Sequence, residues 1–294
     1  MKKHAFLIMV HRKDEVLETL LKLLDDERND IFIHIDAKAA LRMEELKRYI
    51  KKSGFYQAER VRVNWGGYSQ IQAELNLLEA AAGQESYARY HLLSGADLPI
   101  KTQDEIHQFF DAHGEKEFVG FCGGIEGCEE RVKLYHLFQE KVRRGNRVDE
   151  KLNRGFLKVQ KLLEINRISK EDIPFRKGLN WFSVTDVLAK AVLEEKEWIR
   201  KTFRNTGCCD EVFLQTVIAR KNWLDRVYCL DESNDNAAAM RYIDWNRGTP
   251  YVFRSEDYEE LLNSQMMFAR KFDVAVDGEI VEKIYTYLTE REIG

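Results

Sequence analysis

Proline is scarce in this chain, three among 294 residues, which excludes long Pro-rich linkers. Cysteine is sparse and poorly spaced for most of its uses: the five stand at 122, 128, 208, 209 and 229. Their number is odd and no Cys-x-x-Cys pair occurs, so neither a disulfide framework nor a zinc site of ordinary spacing is indicated. Reduced thiols in a cytosolic compartment are the simpler expectation, with Cys208-Cys209 as small apolar fillers. No apolar run approaches the ~18 residues of a membrane span. The first, Ala5 to Val10, is shorter than the hydrophobic region of a signal peptide. Net charge is −4, so no global electrostatic case for a nucleic-acid partner follows. No Gly-x-Gly-x-x-Gly follows that first run, where the chain reads MVHRKDEV, which disfavours a Rossmann oxidoreductase.

What is present reads as alternating strands and helices in one domain over residues 1–294. AFLIMV (5–10) is apolar on both faces, as a central parallel strand would be. DEVLETLLKLL (14–24) carries a helical apolar face with acids in its first turn. IFIHIDAK (31–38) is a second strand ending at Asp36, LRMEELKRYIKK (41–52) a helix, and VRVNW (61–65) a short strand. SQIQAELNLLEAAAG (69–83) is a helix with Ser69 as N-cap and Gly83 past its end. YARYHLLSGADLP then gives a strand that stops in a turn, with the single acid Asp97 just beyond it. EIHQFFDAHG (105–114) is a helix and EFVGF (117–121) a strand. GLNWFSVT (178–185) is extended, and DVLAKAVLEEKEWIRKTF (186–203) and CDEVFLQTVIARK (209–221) are helices. RYIDWNRGTPYVF (241–253) is irregular, MFARKFD (267–273) is extended, and DGEIVEKIYTYLTER (277–291) closes as a helix. Repeated β-α units predict an α/β fold with a mostly parallel, doubly wound sheet and flanking helices. Ligands of such sheets sit beyond the carboxyl ends of the strands.

The middle, about 129–176, differs. Between 131 and 170 there are 12 Lys and Arg against 4 Asp and Glu, so the rest of the chain is distinctly acidic. This basic helical insertion is either a solvated face or a lid or anchor toward phosphate or anionic lipid.

The ordered set LIMVHRK…ETLLKLL, IFIHIDAK, VNWGGYSQIQAELNLL, YHLLSGADLPIKT, GLNWFSVT, CDEVFLQT and MFARKFD resembles the core-2/I-branching enzyme family, from about residue 4 to 285. No single motif carries the likeness; seven in order do. The resemblance implies a GT-A type nucleotide-sugar-binding fold. It also implies transfer of N-acetylglucosamine (xylose or glucuronic acid in some relatives) from UDP with inversion, and no metal requirement. Inverting transfer needs one general base for the acceptor hydroxyl, passes through an oxocarbenium-like state, and needs positive charge at the departing UDP. GT-A enzymes commonly hold Mn²⁺ on Asp-x-Asp for that purpose. This chain contains no Asp-x-Asp, so basic side chains are expected to substitute and no cofactor or metal is expected.

By the resemblance, Glu211 in CCDEVFLQT is the general base; read from the residues alone, Asp210 and Glu211 complement a helix dipole. Lys271 in FARKFD resembles the family lysine on the β-phosphate. Arg247 in DWNRGTP is its expected partner, with Arg241 and Arg254 as nearby alternatives. His11, Asp36, Trp65, Gly66 and Asp97 complete the expected donor side, where each equally suits a turn or loop role. Glu130, Trp181, Asp210 and Trp245 are the expected acceptor side, Trp by stacking on sugar faces.

Animal members of the family carry a membrane anchor, a stem and many cysteines, which this sequence does not show. That suggests a bacterial, cytoplasmic member at the inner face of the plasma membrane, with a lipid-linked saccharide or polysaccharide precursor as acceptor. A UDP-xylose or other UDP-hexose transferase, or a catalytically silent nucleotide-sugar-binding protein, is the alternative.

Overall fold

The computed structural model describes residues 2–124, 126, 128–141, 147–169, 172–230 and 235–293. Its central strand is β1 (His4–Val10), buried along nearly its whole length. β2 (Asn29–Ile35) and β3 (Gly54–Gln57) lie parallel on one side, and β4 (Arg89–Ser94) lies parallel on the other. β7 (Phe182–Val184) joins β4 antiparallel, and β6 (Phe118–Val119) joins β7 antiparallel, giving the order β3-β2-β1-β4-β7-β6. A second sheet, β5-β9-β8, is built from β5 (Asp97–Pro99), β8 (Arg241–Ile243) and β9 (Phe268–Arg270).

The alternation of β1 explains the double winding. Phe6, Ile8 and Val10 enter one core with Ile31, Ile33 and Ile35 and the helix Glu15–Leu24. Ala5 and Leu7 enter the other with Phe32, Leu92 and the helix Tyr68–Gln84. A strand with two buried faces has no polar side, hence its unbroken apolar run. The helix Glu15–Leu24 starts where Asp14 accepts from the Leu17 amide at 3.1 Å, and it buries four Leu and one Val before Leu24. Each such side chain is worth ~1.5–3 kcal/mol. The register sets Val10 level with Ile35 and Met9 level with Ser94, so three parallel strands end together and open one edge.

Several sequence expectations shift. The helix predicted over 41–52 shrinks to Glu44–Lys47. The strand expected at 61–65 is instead β3, earlier in the chain, because Gly54 approaches Asp30 so closely that a Cβ would lie 2.6 Å from its carboxylate. The helix expected to begin after Ser69 begins at Tyr68 and runs through Gly83 to Gln84. Its start is held from outside, by Glu140 accepting from the Ser69 amide at 2.7 Å and hydroxyl at 2.9 Å. The 186–203 helix is two, Asp186–Glu194 and Lys196–Phe203. Of the basic insertion, residues 142–146, 170 and 171 lie outside the described residues; within the rest run the helices Glu129–Lys133 and Arg147–Leu162.

At the opposite end of the sheet three imidazoles are buried together. His91 Nε2 meets His4 Nδ1 at 3.1 Å, His91 Nδ1 meets Ser183 at 2.8 Å, and His107 meets Asn29 at 2.9 Å. Burial pushes all three below the usual imidazole range, reinforced by His107 at His4, by His4 at His91 and by Arg28 at His107.

Candidate active site

The common strand end brings His11, Asp36 and the Ser94–Asp97 turn to one edge. Burial lowers the His11 pKa first and the charge of Arg12 second; Asp36 opposes and Lys271 adds to the lowering. His11 is therefore within electrostatic reach of both Asp36 and Lys271. Asp36 closes its own turn, accepting from the Lys38 amide at 2.8 Å, with the Lys38 ammonium 3.6 Å away. Lys38 reaches on to the Val63 carbonyl and, at 3.4 Å, to Asn64.

The next residues, Trp65 and Gly66, connect this edge to the other half of the site. Gly66 adopts φ +72°, where a side chain would be strained, and a Cβ there would sit 2.7 Å from Gln139. Its carbonyl accepts from the Cys208 amide at 2.8 Å. Cys208 opens the 3-10 turn Cys209–Glu211, which precedes the helix Phe213–Arg220. Glu211 thus stands in a tight turn just ahead of the helix's N-cap, Val212, rather than in the helix's first turn. Its carboxylate is 38% exposed and accepts from Arg131 Nη1 at 2.6 Å, so it is oriented while one side stays open to solvent.

Behind the turn the polarity is unusual. Asp210 is buried and accepts from Gln70 at 2.7 Å; burial and then the Glu211 charge push its pKa up to about 7. Glu74, on the helix Tyr68–Gln84, is fully buried with neither carboxyl oxygen hydrogen-bonded. Burial first and the Asp210 charge second drive its pKa well above the carboxylate range. An unpaired carboxylate in such a place costs several kcal/mol, so Glu74 carries its proton. Asp210, expected to face an acceptor, faces inward instead.

The small sheet supplies the basic groups. Ile243 of β8 is level with Arg270 of β9, and the residues that follow are tied to one segment, the Asp244 carbonyl accepting from the Tyr251 amide and the Lys271 carbonyl from the Phe253 amide, both at 2.9 Å. Arg247 donates to Asp244, to Asp257 at 2.6 Å and to Glu260 at 3.5 Å, and stacks on Tyr251 at 4.2 Å. Arg241 is buried, donating to the Ala239, Leu92 and Phe182 carbonyls and to Ser183. It holds the core together and is out of reach of any ligand, which leaves Arg247 and Arg254 of the three arginines.

Asp97 has a partner that the sequence reading missed. Arg270 Nη1 donates to its carboxylate at 2.6 Å, and the Ser94 amide donates to the same group at 2.6 Å. The Arg270 guanidinium lies 4.4 Å from the Trp181 ring centroid, and Trp181 is itself buried. The lone acid past the strand end is thus neutralised by an internal arginine. Arg270 closes β9 opposite Asp97 of β5, a pairing 173 positions apart that no local motif announces. The contact of Arg131 with Glu211 spans 80 positions, beyond any local pattern. Trp65 and Trp245 are exposed, at 60% and 48%, and Glu130 is exposed and paired with Lys161. Among the described residues no three of His, Cys, Asp and Glu converge to hold a metal ion.

The core-2/I-branching enzyme family matches residues 4–266, and the chain belongs to that family of enzymes. The mainly parallel α/β sheet is the architecture expected of it. The chain is 26% identical over 322 residues to a bovine beta-1,3-galactosyl-O-glycosyl-glycoprotein beta-1,6-N-acetylglucosaminyltransferase, covering 98% of this chain and 70% of that protein. It is 22% identical over 305 residues to dog xylosyltransferase 1, covering 97% of this chain but only 30% of that protein. Mouse xyloside xylosyltransferase 1 in its apo form aligns with a TM-score of 0.36 and 10% identity over 92% of this chain and 97% of that one.

Proposed function

We propose that this chain is an inverting, metal-independent glycosyltransferase that moves a sugar, N-acetylglucosamine foremost, from UDP to a hydroxyl of a glycan or lipid-linked saccharide at the cytoplasmic face of a membrane. Family membership and the names of its relatives support sugar transfer. The observation that carries the reading is Glu211: a half-open carboxylate, oriented by Arg131, on a turn hydrogen-bonded to the Trp65–Gly66 loop. Glu211 takes the proton of the acceptor hydroxyl as that oxygen bonds to the anomeric carbon and the bond to UDP breaks. Lys271, with Arg247, meets the charge left on the β-phosphate. His11 and Asp36 line the nucleotide side, and Trp65 and Trp245 present exposed rings to a sugar. Metal independence is supported by the missing Asp-x-Asp and by the pairing of Asp97 with Arg270. Xylose is the second donor to consider, on the strength of the xylosyltransferase relatives.

UDP release from a panel of UDP-sugars in EDTA tests the reading. Turnover of one donor supports it; turnover only with added Mn²⁺ overturns the assignment of the phosphate groups. Tight UDP binding with no turnover on any donor or acceptor points to a binding protein.

A further inference from the structure

The helix Arg147–Leu162 turns an apolar stripe to solvent. On its wheel Val148, Leu152, Val159 and Leu162 share one side, and these residues, with Leu163 just beyond, are between 54% and 83% exposed. The side turned to the body is mixed: Phe156 and Leu157 are half-buried there, Phe156 edge-on to Phe138 at 5.2 Å, beside two polar side chains. Gln160 is buried, its amide both accepting from the Tyr135 N–H at 2.8 Å and donating to the Tyr135 carbonyl at 2.9 Å, and the Asn153 carboxamide oxygen is buried as well. A helix of a water-facing surface turns polar residues outward, and an exposed apolar stripe of this size marks a contact face. Phe138, 41% exposed, adjoins the helix through Phe156.

The charge beside the stripe says what covers it. Lys151, Arg154, Lys158 and Lys161 fall on the adjoining side of the same wheel, while the whole chain is net −4. An apolar stripe edged by bases suits the boundary between acyl chains and anionic headgroups, where the helix lies in the plane of the surface. A second copy of this acidic chain would match the stripe but not the local charge. We infer that the helix Arg147–Leu162 docks the protein on an anionic lipid surface. Lys161 pairs with Glu130, whose neighbour Arg131 holds Glu211. The docking helix is thus tied through Glu130 and Arg131 to the turn that carries the candidate base. The docking itself does not depend on the sugar chemistry.

The test is co-sedimentation of the full chain with vesicles of phosphatidylcholine alone and of phosphatidylcholine mixed with phosphatidylglycerol, at low and high salt. Wild type should pellet with the anionic vesicles at low salt and be released by salt. Combined Leu152→Ser, Val159→Ser and Leu162→Ser should abolish pelleting. Combined Lys151→Gln, Arg154→Gln and Lys158→Gln should weaken it ~100-fold, at roughly tenfold or less per base. All six positions face solvent, so circular dichroism and the rate of UDP-sugar hydrolysis without acceptor should stay unchanged and vouch for the fold. Wild type left in the supernatant, or serine variants that pellet like wild type, would overturn the inference. So would sedimentation equilibrium showing a dimer that the serine variants dissolve, which would give the stripe to a second copy.

Discussion

Replacing Glu74 by Gln isolates one buried proton. Glu74 has no exposed surface and neither oxygen hydrogen-bonded, and burial and then Asp210 raise its pKa far above that of a free glutamate. A group whose native pKa lies above its unfolded value contributes stability that is fully present below the unfolded pKa, about 4.3 for Glu, and is lost as pH rises toward the native value. While native Glu74 keeps its proton and unfolded Glu74 does not, each pH unit removes ~1.4 kcal/mol. From pH 5 to pH 7 wild type should thus lose ~2.7 kcal/mol that the Gln variant, which cannot ionise, does not lose. The buried histidines act in both chains and cancel from the difference, as Asp210 does to first order. Gln is nearly isosteric, and its amide donors in an unpaired site cost ~1–3 kcal/mol at every pH. The variant should therefore be the less stable chain at pH 5, and the gap should close or reverse by pH 7. Urea unfolding at pH 5, 6 and 7 reads this directly. A constant gap across the three would mean that Glu74 is charged in the native protein, and would refute the reasoning from burial.

Further outcomes follow from the same geometry. Asp97→Asn strands Arg270 beside Trp181 with half its partners, and should lower unfolding free energy by ~3–5 kcal/mol in urea titration. Lys271→Ala should cut UDP-sugar turnover by ~10²–10³ with little change in melting temperature, since its ammonium serves developing charge rather than packing. His4, His91 and His107 have native pKa values below the unfolded value of ~6.5, so their contribution is present above that pH and is lost as pH falls below it. His91→Phe should flatten the acid side of the stability profile measured by thermal melts between pH 6.5 and pH 4.5.

The fold was largely legible because β1, β2 and β4 announce themselves through apolar runs that end in polar turns. β3 was not, since GFYQ is short and its position depends on Gly54 packing against Asp30. The 3-10 turn at Glu211 was hidden because CDEVFLQT has the acids of a helix start; only Cys208 in a left-handed conformation, hydrogen-bonded to Gly66, shows that the chain turns first. Of the candidate donor residues, His11 comes into electrostatic reach of both Asp36 and Lys271. Trp181 and Asp210 were expected at an acceptor and are buried instead, because sequence reports residue type but not which way a loop side chain faces. Long-range pairs, Arg131 with Glu211 and Arg270 with Asp97, escape local patterns by nature.

The central claim is that Glu211 acts as the general base, and the most direct measurement compares wild type with Glu211→Gln in single-turnover transfer to an acceptor hydroxyl in EDTA, alongside UDP affinity. The account predicts a rate lower by ~10²–10⁴ with UDP affinity unchanged, because the variant keeps a side chain for Arg131 but loses the proton acceptor. A variant that transfers sugar as fast as wild type would contradict it and move the base elsewhere in the site.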